Sequence, residues 1–99
     1  MAIHCKHCGI EVVLRDAVKT APFSWPKLQA IWHVCPSCGK PNHIRIENGV
    51  FGVIEINGAP GPEWEYVERS RIKDLSFRVD PGFLHISIAG EHFEVASKK

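Results

Sequence analysis

Two copies of the motif Cys-x-x-Cys-Gly constrain this 99-residue chain more than any other feature: the first knuckle (residues 5–9) and the second knuckle (residues 35–39). Two residues between cysteines let one tight turn aim both sulfurs at the same ion. The glycine that follows can take a left-handed conformation, which turns backbone N–H groups toward the thiolates. Two knuckles supply four ligands, the number that a tetrahedral Zn²⁺ ion takes. The predicted ligands of this structural zinc site are Cys5, Cys8, Cys35 and Cys38.

The four cysteines admit other interpretations, which are free thiols, two disulfides, or an iron ion in place of zinc. Disulfides are rare in the cytosol, and the chain has no N-terminal apolar run of signal-peptide length. No apolar run is long enough to span a membrane, so we expect a cytoplasmic protein with reduced thiols and no membrane association. His4 and His33 lie beside cysteines and could replace one of them, but four cysteines already close a zinc site.

The two knuckles, with a predicted strand pair between them and Trp32 ahead of the second, resemble the zinc-ribbon superfamily. They are also similar to rubredoxin, which has the same two knuckles and often a tryptophan just before the second. The resemblance covers residues 3–49, half of the chain. It implies a metal-built β ribbon with zinc or iron in the four sulfurs, and it implies no particular function. We expect Trp32 to pack against the metal site and shield it from water.

Alternation of apolar and polar residues predicts a mainly β fold. Around the metal we expect four strands, with an Asn-Gly hairpin signal between the last two. The segment between the first two strands, residues 19–29, contains two prolines, which predict a loop with one helical turn after Pro26. The predicted strands are residues 10–14, 30–34, 43–47 and 50–56.

The C-terminal third predicts a three-stranded antiparallel meander with one apolar face. A run of Asn, Gly and Pro at residues 57–62 divides the chain into a zinc-ribbon module, residues 1–57, and a β-meander extension, residues 58–99, packed on it as one compact unit. A lone three-stranded sheet is marginally stable, so a homodimer through this sheet is a further expectation. The predicted meander strands are residues 75–79, 83–88 and 91–95.

Residues 63–73 fit two structures. A proline just before them, acidic residues at their start and basic residues at their end favour a short helix. The alternative is a strand through residues 64–67. We favour the helix.

The charge of the chain argues against a stand-alone DNA-binding protein. The formal net charge is only +1, whereas sequence-independent DNA binding depends on a strongly basic face. Aromatic residues in the loop could stack on bases, fill a partner's pocket, or fold back over the sheet. The candidate contacts to a nucleic acid or a protein partner are these aromatic residues and the cations near the metal: Lys6, Phe23, Trp25, Lys40 and Arg45.

No catalytic motif is visible in the sequence, which lacks a phosphate-binding loop, a nucleophile elbow and a His-Glu-x-x-His motif. His85 and His92 fall on the polar face of the meander, where we expect ordinary surface histidines. A closed four-cysteine site also has no open position for substrate. We therefore expect a non-catalytic zinc ribbon, of zinc-finger type, that acts as a nucleic-acid-associated regulatory or accessory factor. The alternatives are a protein–protein interaction adaptor or small subunit, and a rubredoxin-like iron electron carrier.

Overall fold

A computed structural model describes residues 1–57 and 63–98 of the chain. These residues form ten β-strands, one short α-helix and one 3₁₀ turn, so the fold is mainly β, as predicted. The strands form three antiparallel sheets of two, five and three strands. In chain order the elements are β1 (Ala2–His4), β2 (Glu11–Val13), α1 (Leu14–Thr20), β3 (Phe23–Trp25), the 3₁₀ turn (Pro26–Leu28), β4 (Ala30–Val34), β5 (Pro41–Glu47), β6 (Val50–Ile56), β7 (Trp64–Arg71), β8 (Leu75–Asp80), β9 (Phe83–Ile88) and β10 (Glu91–Ala96).

The central sheet has the order β3-β4-β5-β6-β7, so each strand pairs with its neighbour in sequence. The predicted strands at residues 30–34 and 50–56 are confirmed, and the strand predicted at 43–47 begins two residues earlier, at Pro41. The predicted hairpin at Asn48-Gly49 joins β5 to β6, and its glycine has a φ of 77°. A glycine takes this conformation without steric cost.

The predicted helix over residues 63–73 is wrong, because Trp64–Arg71 forms strand β7. The backbone of β7 pairs with that of β6, which would otherwise carry unpaired N–H and C=O groups along one edge. Side chains of β7 alternate between half-buried and exposed, which is the period of a strand. The charges at the two ends of the segment suit a helix, but they lie on the surface and contribute less than this pairing.

The one short helix of the described residues lies elsewhere, at α1. The sequence predicts a strand over residues 10–14, whereas β2 ends at Val13 and the helix begins at Leu14. Leu14, Ala17 and Val18 are buried, and their spacing places them on one helical face. This apolar face explains why the β-branched residues here do not continue the strand.

The predicted loop at residues 19–29 contains a further short strand, β3, between Pro22 and Pro26. β3 lies at the edge of the central sheet, where flanking prolines are tolerated because their missing N–H groups are not needed by the ladder. The helical turn predicted after Pro26 is confirmed as the 3₁₀ turn.

The C-terminal meander is confirmed, with β9 between β8 and β10. Its apolar face packs against the central sheet and α1. The expectation that His85 is an ordinary surface residue is wrong, since only 7 % of its surface is exposed. The ring of His92 stacks over it, with 5.3 Å between the ring centroids.

One hydrophobic cluster draws side chains from all three sheets and from α1. Side-chain and backbone hydrogen bonds also tie β3 to the end of the chain: Ser24 Oγ donates to the Val95 carbonyl, and the Lys98 N–H donates to the Ser24 carbonyl, both at 2.9 Å. The fully buried members of the cluster are Ile3, Leu14, Ala17, Ile31, Ile44, Ile46, Val53, Leu84 and Ile86.

The domain boundaries and the oligomeric state stay predictions. The predicted domains are residues 1–57 and 58–99, and the predicted oligomer is a homodimer through the meander. The predicted break at residues 57–62 lies outside the described residues, except for Asn57. Of the part of the chain that the structure describes, no helical segment has the length and apolar character needed to cross a membrane.

Candidate metal centre

The two knuckles adopt the same turn at equivalent places in the fold. The first lies between β1 and β2, and the second between β4 and β5. In each, the N–H of the first cysteine donates to the carbonyl five residues later at 3.0 Å, and the glycine N–H donates to the carbonyl of that cysteine at 2.9 Å. Gly9 and Gly39 have φ values of 79° and 74°, the left-handed conformation that the motif predicts.

The turns bring all four predicted ligands together. The Sγ atoms of Cys5 and Cys38 lie 3.7 Å apart, as do those of Cys8 and Cys35. All four sulfurs lie within 4.8 Å of one another. A disulfide bond would need about 2.05 Å, whereas the edge of a tetrahedron with Zn–S bonds of about 2.3 Å is roughly 3.8 Å. The cluster can therefore hold one metal ion, and iron in four thiolates would take the same tetrahedral arrangement.

Cys5 is the thiol most clearly prepared to be a thiolate. Burial opposes its ionisation, but hydrogen bonds from the Asn42 side chain and from the N–H groups of Cys8 and His7 outweigh this and lower its pKa to about 5. Charge-stabilising donors of this kind surround the sulfurs of structural metal sites. The first knuckle thus favours the form of cysteine that binds a metal.

The second knuckle shows how the sulfurs compete for negative charge. The N–H of Cys38 is the main cause that lowers the pKa of the Cys35 thiol. The N–H of Lys40 acts in the same direction on Cys38, but burial and the three neighbouring sulfurs outweigh it and raise the pKa of Cys38 to about 11. Four thiolates at this spacing need a cation between them, which a divalent metal ion would supply.

Asn42 supports the site, although sequence reasoning did not identify it. It is fully buried in β5, its Oδ1 accepts from the Lys6 N–H at 3.0 Å, and its Nδ2 donates to Cys5 Sγ at 3.4 Å. The sequence does carry a signal for Asn42. It stands two residues before Ile44 and four before Ile46, so it lies on the same inward face of the strand as these apolar residues. A buried amide at such a position needs a polar partner.

The histidines near the knuckles have partners or positions outside the cluster. His7 Nε2 lies 3.0 Å from the Pro41 carbonyl, to which it can donate. His4 contacts Glu68 twice, through its N–H at 2.7 Å and its Nδ1 at 2.5 Å. His33 is buried, and burial lowers its pKa. Among the residues described, the group around the knuckles consists of the four cysteines, and neither His4 nor His33 belongs to it.

The predicted contact residues Phe23 and Trp25 lie on the face of the central sheet that points away from the hydrophobic cluster. Their rings, both half-buried, are 5.0 Å apart. Trp32, which we expected against the metal, stacks on Phe23 at 5.2 Å and meets Trp25 at 5.5 Å. His43 completes the group, with its ring 5.0 Å from that of Trp25.

A second aromatic pair lies on the same face, at the other side of the sheet. Trp64 and Tyr66 are 5.1 Å apart on β7. The predicted contact residue Arg45 lies over Trp64, with its guanidinium carbon 4.2 Å from the ring centroid, and donates to Leu28 and Gln29. We call the six rings the aromatic surface: Phe23, Trp25, Trp32, His43, Trp64 and Tyr66.

The side chains of the three predicted cations differ in how far they are exposed to solvent. Lys6 and Lys40 are exposed beside the first and second knuckle. The Arg45 side chain is only 12 % exposed, and its hydrogen bonds within the protein occupy several of its donors.

No family model, curated protein or solved structure matches the chain.

Proposed function

We propose that the protein is a non-catalytic zinc-binding ribbon protein whose aromatic surface binds single-stranded nucleic acid, as a regulatory or accessory factor. The observation that carries this proposal is the aromatic surface itself. Bases of a single strand stack on aromatic side chains, and sheets that bind single strands present such side chains on an open face.

Zinc is supported by the donor set and by the closed arrangement of the sulfurs. Four thiolates at tetrahedral spacing occupy every position of a structural zinc ion. Such an ion has no free position for water or substrate, so its contribution is to the fold. Iron in the same sulfurs, with electron transfer as the function, is the minor alternative, and metal analysis of the purified protein separates the two.

Two cations at the edges of the aromatic surface lie where they could pair with the phosphates of a bound single strand. Lys98 Nζ lies 5.4 Å from the Phe23 ring and 5.5 Å from the Trp25 ring. At the other side, Arg69 lies 5.7 Å from the Tyr66 ring. The number of cations is small, so we expect stacking to contribute more of the affinity than charge does.

The test is fluorescence anisotropy of the zinc-loaded protein with labelled single- and double-stranded DNA and RNA, at low and at physiological salt. We expect single strands to bind more tightly than duplexes. Replacing Trp25 by Ala should remove about 1–3 kcal/mol of binding free energy, the typical contribution of one stacked base. Lys98→Gln should weaken binding less and reduce its salt dependence. Phe83→Ala is the matched control, because Phe83 is an exposed aromatic residue on the meander.

No binding of any oligonucleotide at low salt would contradict the proposal. The aromatic surface would then favour the second candidate, a protein adaptor, because Trp, Tyr and Arg are the residues that dominate protein–protein interfaces. In that case Trp25→Ala, and not Phe83→Ala, should reduce capture of a partner by the immobilised protein.

A further inference from the structure

Two histidines and one glutamate converge on the polar face of the meander, in a different sheet from either knuckle. His85 Nδ1 lies 3.3 Å from His92 Nε2 and 3.5 Å from Glu94 Oε1. His92 Nε2 lies 3.7 Å from the same oxygen of Glu94. Three ligand-type atoms therefore form a small triangle with nearly equal sides.

The strand register produces this arrangement. Glu94 of β10 is directly opposite His85 of β9, and His92 precedes Glu94 by two residues, so it lies on the same face. Directly opposite and diagonal neighbours are the side chains that touch across a sheet. The triangle is thus built on paired strands, where the positions of its members are fixed by the backbone.

We propose that His85, His92 and Glu94 bind a second divalent metal ion, Zn²⁺, with water in the fourth position. Zinc bonds of about 2.0–2.2 Å to histidine nitrogen and carboxylate oxygen give a tetrahedral edge of roughly 3.4 Å. The three observed separations lie close to that value. Two histidines with one glutamate form a zinc ligand set that leaves a coordination position open.

Asp80 gives independent support, because it orients His85 as a metal ligand. Its Oδ2 lies 2.6 Å from His85 Nε2, and its Oδ1 accepts from Arg78 at 3.0 Å. When Nε2 donates to this carboxylate, the lone pair of Nδ1 faces His92 and Glu94. Histidines that bind metals almost always donate their other ring N–H to a carboxylate, a carbonyl or water.

The burial of His85 also favours a metal. Burying an imidazole fixes its ring, so that little freedom is lost when an ion binds. His92 and Glu94 are exposed, which leaves the ion a path from solvent. Ser87 Oγ lies 3.5 Å from His92 Nδ1, where its hydroxyl can accept from the second ring.

The experiment is isothermal titration of the protein, already loaded with one zinc ion, with ZnCl₂ at pH 7.5, and NMR of the histidine rings in parallel. We expect one further equivalent per chain and shifts of the His85 and His92 ring signals. His92→Ala and Glu94→Gln should each weaken this equivalent at least tenfold. Asp80→Asn should weaken it by about 10- to 100-fold, the range found when carboxylate partners of ligating histidines are lost.

Glu65→Gln is the matched control, since it removes an exposed carboxylate outside the triangle. The proposal is contradicted if the loaded protein takes up no second equivalent, or if Glu94→Gln binds it as tightly as the wild type. Glu94→Gln keeps the shape of the side chain, so folding does not obscure the result. Oligonucleotide binding and the knuckle zinc do not depend on these residues, so this inference can fail without the proposed function failing.

Discussion

At the scale of single residues, Asn42 connects the two knuckles. It lies in β5, directly after the second knuckle, yet its side chain bonds to the Lys6 N–H and the Cys5 sulfur of the first. The Asn42 amide is one of the donors that lower the pKa of Cys5 to about 5. A polar group buried in this way costs free energy if its partners are removed, so the residue stabilises both the turn and the thiolate.

Replacing Asn42 by Asp should weaken zinc binding by about 10- to 100-fold. The substitution keeps the shape of the side chain but replaces the donor with a negative charge beside Cys5, which raises the pKa of that thiol. Competition with a chromophoric zinc chelator measures the affinity. Ser37→Ala is the control. It keeps the backbone N–H of residue 37 that hydrogen-bonds to Cys35, so this variant should bind zinc like the wild type. Equal affinity of Asn42→Asp and wild type would show that the amide has no part in the site.

His43 should make stability depend on pH. Burial, followed by the positive charge of Lys6, lowers its pKa below the ordinary value of about 6.5. The folded state therefore favours the neutral ring of His43. The stability that the neutral ring contributes is complete above about pH 6.5 and is lost as the pH falls toward the lowered pKa. The free energy of unfolding should fall less between about pH 7 and about pH 5 in His43→Gln than in the wild type. An identical pH dependence in the two proteins would contradict this.

At the scale of elements, the pairing of β6 with β7 depends on a glycine. A Cβ atom added to Gly52 would lie 1.9 Å from the Glu68 carbonyl oxygen and 2.9 Å from the Arg69 Cα. The register of this pair shifts between Val53 and Ile54, close to the same point. Glycine inside a strand often marks such a bulge or a close approach of two backbones.

Gly52→Ala should destabilise the protein by about 3 kcal/mol, because the methyl group meets backbone atoms that cannot rotate away. Urea unfolding monitored by tryptophan fluorescence measures the change. Gly90→Ala is the control for backbone strain alone: its φ is 84° and its Cβ would meet nothing within 4 Å. This control should cost about 1–2 kcal/mol. A smaller loss for Gly52→Ala than for Gly90→Ala would contradict the close approach.

The elements that sequence analysis predicts well are those whose signal is local. The three meander strands alternate in hydrophobicity, and the strands at 30–34 and 50–56 are short apolar runs that adjoin the second knuckle or the Asn48-Gly49 turn. The segment 63–73 combines a weak alternation, which suits a strand, with charges that suit a helix. It forms a strand because it pairs with the free edge of β6, which is a tertiary contact that the local sequence does not show. Helix α1 is missed because the β-branched residues just before it, Val12 and Val13, favour a strand that continues, while the core requires a helical face from Leu14 onward.

At the scale of the whole molecule, the three sheets formed by residues 1–57 and 63–98 share one hydrophobic core. Leu84 and Ile86 of the meander lie in the same cluster as Ile31 and Ile44 of the central sheet. The four cysteines could be predicted because their spacing is itself the signal. The triangle of His85, His92 and Glu94 could not, because strand register brings its members together and the sequence shows only polar positions on a strand.

The shared core predicts that the central sheet and the meander unfold together. All three tryptophans lie in the central sheet, whereas His85 reports on the meander. Tryptophan fluorescence and the His85 NMR signal should therefore have the same thermal midpoint. Ile86→Ala, which leaves a cavity at a fully buried site, should cost about 2–5 kcal/mol and lower both midpoints equally. Two separate midpoints would mean that the meander is an independent unit.

If the four thiolates hold one tetrahedral metal ion, the absorption spectrum of the protein with one equivalent of Co²⁺ should show it. Cobalt takes the place of zinc in such sites and, unlike zinc, absorbs visible light. We predict sulfur-to-cobalt charge-transfer bands and the intense visible bands of a tetrahedral ion, both reduced in Cys35→Ser. A spectrum without charge-transfer bands, or one that Cys35→Ser leaves unchanged, would show that the four cysteines do not bind one metal ion together.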